Sequence, residues 1–168
     1  MDVREVYEEL FGRIRPLVDR AVSGLTPAEL ATVPAPGTNS IGWLAWHIAR
    51  IGDHHLSEVM NADQVWVTSS WPAEFGLAPD PDNVGYGHTP DDVASVQPTG
   101  PDACLGYLDE VVGRTKTFLT GLTPDGLDVI VDRRWDPPVT LGVRLVSIAN
   151  DALQHAGQAA YVRGLLRL

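Results

Sequence analysis

Apolar positions recur every three or four residues through four stretches of the chain. Over residues 2–22, Val3, Val6, Leu10, Ile14, Leu17 and Ala21 fall on one stripe of a helix. "TPAEL" follows, with Thr26 as N-cap, Pro27 at the first helical position and Glu29 closing a capping box, so a short helical turn is predicted before "VPAPGT". Asn39 or Ser40 then caps a second long helix, "IGWLAWHIARIGDHHLSEVM", with a stripe through Leu44, Ile48, Ile51 and His55. A third, over roughly 101–121, carries Leu105, Leu108, Val111, Val112, Leu119 and Leu122. The last, over roughly 140–166, carries Leu141, Leu145, Ile148, Ala152, Ala159, Val162 and Leu166.

Between about 62 and 100 the period disappears and Pro, Gly and Asp dominate, although "TPDDVASVQ" has its own capping pattern at Thr89 and Asp92. A connection of this length is usually functional when it is not disordered. Its Trp66, Trp71, Phe75 and Tyr86 are expected to pack on the body of the molecule. "TPDGLDVIVDRRWDPPV" links the third and fourth helices. Four amphipathic helices with almost no strand signal predict an all-α fold, a four-helix bundle. The long crossover between helices 2 and 3 lets neighbours run parallel.

Composition narrows the picture. A chain of 168 residues suits one domain, 1–168, and 44% apolar with 20% charged residues is a globular balance. The net charge of −10 and the scattered placement of the 12 Lys and Arg argue against a nucleic-acid partner. "MDVREVYEEL" has no basic or apolar leader character, and no apolar run approaches the ~18 residues a bilayer requires, so a cytoplasmic protein without a membrane partner is expected. The single cysteine, Cys104, leaves any metal to His and carboxylate ligands.

Asp151 and His155, four apart on the last helix, share the core-facing side with Ile148 and Val162, where aliphatic residues would be ordinary. Bundles build metal sites from inward side chains on facing helices, which makes His47, between Leu44 and Ile51, the partner to expect. Two imidazoles and one carboxylate leave a coordination position open, as in catalytic Zn²⁺ sites, and also suit Fe²⁺, Ni²⁺ or Mn²⁺. The plainer alternative is a hydrogen-bonded core histidine whose ring Asp151 orients. His54 lies about 10 Å along the helix from His47 and does not share such a site as its neighbour. His54 with Glu58, and His88 in "GYGHTP", have weaker claims as a helix-end pair and a pocket-mouth or turn residue. Arg144 is either an anion contact or an exposed arginine near the helix start.

"WLAWHIARIGDHHL" on the second helix and "NDALQHAGQAAYVRG" on the last resemble the DinB-like superfamily of metal-binding four-helix bundles. Within it the chain most resembles the actinobacterial branch of mycothiol-dependent transferases. The resemblance implies one His from the second helix and two residues a turn apart on the last as ligands, which are His47, Asp151 and His155. Asp151 stands where a His is commoner. It further implies a divalent metal, zinc first, with mycothiol as co-substrate in S-transfer to a small electrophile or in isomerisation. Gln158 would support the ligands from behind. A metal-dependent hydrolase on the same site and a non-catalytic metal-binding stress protein are the alternatives. A homodimer is only the generic expectation for such a protein.

Overall fold

A computed structural model describes residues 1–168. The first long helix is two, α1 (Val3–Gly12) and α2 (Ile14–Val22), broken at Arg13. Pro16 explains the break: it has no N–H to give the carbonyl of Gly12 four residues back, and its ring crowds that carbonyl. The buried face is Tyr7, Phe11, Ile14, Val18 and Ala21, whereas Val6 is 46% exposed and Leu10 and Leu17 are half-buried. The expected stripe was therefore rotated, because Tyr7 and Phe11, four apart, bring more area to the core than the aliphatic positions beside them.

Next come α3 (Pro27–Ala31), with the expected Thr26–Glu29 capping box, and α4 (Ile41–Met60), capped by the Ser40 hydroxyl, which accepts from the Trp43 amide. Every residue of α4 from Ile41 to Arg50 is buried, since α3, α8, α9 and the crossover enclose it. A one-sided stripe consequently misdescribed α4: Trp43 and Trp46 are core, while Ile51 and His55 are half-buried.

The crossover folds into α5 (Val65–Thr68), α6 (Trp71–Glu74) and α7 (Pro90–Ser95), the last carrying the Thr89–Asp92 capping box. Trp66 and Phe75 are completely buried and Trp71 packs beside Tyr107, but Tyr86 is 94% exposed and does not join the core. A buried polar network ties the segment down. Asp53 accepts from the amides of Val65 and Trp66 (2.9 and 2.8 Å), closing the start of α5, and from the Tyr107 hydroxyl at 2.9 Å. Arg50, wholly buried, donates to the carbonyls of Pro81 and Asn83 and to Gln64 Oε1 and Tyr107 Oη.

The third and fourth long helices are α8 (Pro101–Leu119) and α9 (Leu141–Leu166). Arg50 and Asp53 meet Tyr107 while Ser57 meets Arg114, so α4 and α8 run parallel, as the crossover predicts. Tyr7 bonds the carbonyl of Gly142 and Arg163 those of Arg20 and Ser23, so α1–α2 runs parallel to α9. His47 meets Asp151 while His55 meets Arg144, which sets α4 antiparallel to α9. Between α8 and α9 lie a 3₁₀ turn (Asp125–Asp128) and an antiparallel pair, β1 (Ile130–Asp132) with β2 (Val139–Thr140). Strands this short leave no readable alternation. No helix is long and apolar enough to cross a membrane.

Candidate metal centre

The antiparallel pairing of α4 with α9 brings His47 against Asp151 and His155, residues that are about a hundred positions apart in the chain. One ligand atom from each lies within 4.8 Å of the others. His47 Nε2 is 3.7 Å from Asp151 Oδ2, and His155 Nε2 is 3.5 Å from Asp151 Oδ1. Those separations are long for hydrogen bonds, yet suit atoms sharing an ion: at about 2.0–2.1 Å from Zn²⁺, tetrahedral ligands lie roughly 3.3–3.4 Å apart. Asp151 Oδ2 is buried and has no hydrogen-bond partner. A buried carboxylate oxygen without a donor is what a cation would satisfy.

The opposite edges of both imidazoles are engaged. His47 Nδ1 meets the Val84 carbonyl at 2.5 Å, and His155 Nδ1 meets Gln158 Oε1 at 2.7 Å. An acceptor at each Nδ1 selects the Nδ1–H tautomer of the neutral ring and turns the Nε2 lone pair inward, the arrangement of metal-ligating histidines with supporting partners. Trp43 stacks on His47 at 4.7 Å and 13°, and the two histidine rings meet edge to face at 4.7 Å. His47 is 6% exposed, while the Asp151 side chain is 32% exposed, so the group is sealed from the α4 side and open beside α9. Burial pushes the Asp151 carboxyl up, but His155 and His47 outweigh it and hold it below the usual carboxylate range. The same pairing with Asp151 raises His155. Metal would compete with protons for both.

The crossover supplies what the sequence did not disclose. Gly85, at φ +89°, lets the backbone lie on α4; a Cβ there would stand 2.8 Å from the Trp43 ring and 3.0 Å from His47 Nδ1. His88 accepts from the Trp43 indole N–H at 3.0 Å, stacks on Trp46 and meets Asn83 Oδ1 at 2.8 Å, so it fastens the segment that carries Val84. A backbone carbonyl in an aperiodic stretch leaves no sequence signal, although the Gly–Tyr–Gly run marked the turn. Gln158, expected to support the ligands, contacts one of them, His155. His54 and His55 lie apart from the trio with Glu58, in a second group of ligand atoms within 4.8 Å of one another. Cys104 is buried, and burial pushes its thiol up to about 12. Arg144 is not an exposed helix-start residue: it is 8% exposed and bonded to Asp132 at 2.7 Å.

Two imidazoles and a carboxylate converging from facing helices define a helical-bundle protein with a candidate divalent-metal site. The chain belongs to the DinB superfamily, whose profile matches residues 10–159. It is similar to a protein of Enterococcus faecalis described as the conserved protein of locus, known from its crystal structure. That similarity is 34% identity over 98% of this chain and 97% of the other, with a TM-score of 0.89. No curated protein matches the chain.

Proposed function

We propose that the protein is a divalent-metal-dependent thiol S-transferase or isomerase, with His47, Asp151 and His155 as ligands and mycothiol as co-substrate. The observation that carries this reading is the partnerless, buried Asp151 Oδ2 facing two imidazoles whose far edges are already anchored. The thiol itself is suggested by the likeness of the second and last helices to mycothiol-dependent transferases. A bound divalent metal supplies the positive charge that lowers a thiol's pKa toward neutrality.

The chain's own residues position and shelter. Val84 and Gln158 fix the two rings, and Trp43 excludes water from one side of His47. In the transfer a sulfur–carbon bond forms, the bond from carbon to its leaving group breaks, and the thiol proton passes to solvent through the open α9 side. No side chain is assigned as general base.

The test is elemental analysis of untagged protein beside Asp151→Ala and His155→Ala, then assay of the loaded parent with mycothiol and an alkylating electrophile. About one equivalent of metal in the parent, lost in both variants, with turnover that requires the thiol, is the expected result. A parent that stays empty after metal addition overturns the ligand set. A loaded parent that hydrolyses esters without any stimulation by mycothiol is a hydrolase, and one that turns over nothing is a binding protein.

A further inference from the structure

Among the buried polar atoms without a hydrogen-bond partner, only two belong to charged side chains, Asp151 Oδ2 and Arg144 Nε. Both residues lie on the inward face of α9, seven positions apart, which is about 10 Å along the helix. The metal reading accounts for the first and leaves the second. Arg144 gives Nη2 to Asp132 at 2.7 Å and sets Nη1 3.2 Å from His55 Nδ1, but its Nε–H meets no acceptor. A buried cationic donor left unmatched is costly and calls for a partner, water or an ion among them.

Arg144 lines a cavity of about 430 Å³ with His54, His55, Asp132, Arg134 and Trp135, where the end of α4, the start of α9 and the β1–β2 hairpin meet. Its two guanidinium groups face two carboxylates, Asp132 in the lining and Glu58 beside it on Arg134, with the His55 imidazole kept neutral by burial and by Arg144. The group is therefore balanced on a chain of net charge −10, and the Arg144 Nε–H is the donor left over. Arg134 and Trp135 are each about two-thirds exposed and form the open side, so planar donors stand at the entrance.

The group formed by His54, His55 and Glu58 offers a second metal on spacing alone. The guanidinium groups argue against it. Arg144 Nη1 lies 3.2 and 3.4 Å from the two ring nitrogens of His55, and Arg134 holds Glu58 at 2.6 Å. Two of the three would-be ligands already face a guanidinium group, which would repel a metal ion.

We infer that this cavity, at one end of the α4–α9 interface, binds an anion and takes the carboxylate of an electrophile whose reacting carbon lies at the His47–Asp151–His155 end. The cavity argument is independent of the metal, whereas the assignment to an electrophile rests on the transferase reading. The planar fork of arginine favours a carboxylate at such a place.

The experiment is calorimetric titration of the metal-free full chain with octanoate and with octanoamide, because a metal-loaded protein would offer the acid its metal as a second site. One molecule of octanoate should bind, with the amide about tenfold weaker or undetectable. Arg144→Gln should abolish the preference. Arg134→Gln, at an exposed position, should weaken octanoate several-fold; it removes two bonds to the buried Asp132, which Arg144 still holds, so the melting temperature is read alongside and a folded variant is required. Equal binding of acid and amide, or an acid affinity unmoved in Arg134→Gln, overturns the site. Loaded enzyme with mycothiol is then given bromo-octanoate and bromo-octanoamide; in each, sulfur–carbon bond formation expels bromide and the thiol proton goes to solvent. A higher kcat/KM for the acid, lost in Arg134→Gln, supports the electrophile assignment. Carboxylate-selective binding without turnover of either compound keeps the anion site and removes the transferase reading, so the two failures are distinct.

Discussion

At the scale of single residues, the candidate centre depends as much on Gly85 as on its ligands. An alanine there must hold a left-handed backbone, which costs about 1–2 kcal/mol, and its Cβ would crowd the rings of Trp43, His47 and Trp46. Gly85→Ala is expected to lower metal affinity by about 10-fold or more, since the Val84 carbonyl would no longer aim His47. Competition titration against a chelator reads this directly, and unchanged affinity would remove Val84 from the site. His47, Asp151 and His155 were legible in the sequence because a helix repeats every 3.6 residues and polar side chains on its apolar face stand out. Val84 and Gly85 were not, because the distance from residue 47 to residue 84 is fixed by tertiary packing alone.

At the scale of elements, legibility followed regularity. The later three long helices, the capping boxes at Thr26 and Thr89, and the parallel pairing of α4 with α8 were readable. The break at Arg13 needed Pro16 to be weighed as a breaker rather than passed over within a stripe, and the β1–β2 hairpin has too few residues to show a period. The crossover holds its place through Arg50, whose donors go to two carbonyls and three side chains from the crossover, α4 and α8. Arg50→Met would leave Asp53 buried with less compensation and strip the Pro81–Asn83 backbone of its donors. Such a loss costs about 3–5 kcal/mol. Thermal melts should show that drop. Limited proteolysis should cut the Asp80–His88 stretch before the bundle opens, and an uncut crossover would mean that Trp66 and Phe75 hold it unaided.

For the whole molecule, acid sensitivity should run through the interface between α4 and α9. Burial, then the charge of Arg144, lowers His55 from 6.5 to about 4; His54 and Arg134 act the same way, while Asp151 opposes them. Glu58 also faces the ring, at 3.9 Å. Because the folded pKa is the lower one, the unfolded chain binds more protons between these values. Stability is then complete above pH 6.5 and declines as pH falls toward 4, by at most roughly 3 kcal/mol. His55→Gln should flatten the dependence of melting temperature on pH in that window, and an equally steep variant would place the acid response elsewhere. The tryptophans have a further consequence, an optical one. Trp43 stacks on the His47 ring at 4.7 Å, Trp46 lies 6.1 Å from Trp43, and Trp66 lies 6.1 Å from Trp46. Excitation absorbed anywhere in this relay can migrate to the indole that touches the candidate ligand. Open-shell Co²⁺ or Ni²⁺ should therefore darken the protein's own ultraviolet emission, while filled-shell Zn²⁺ should leave it bright. The chain would then report the occupancy of its centre without any label.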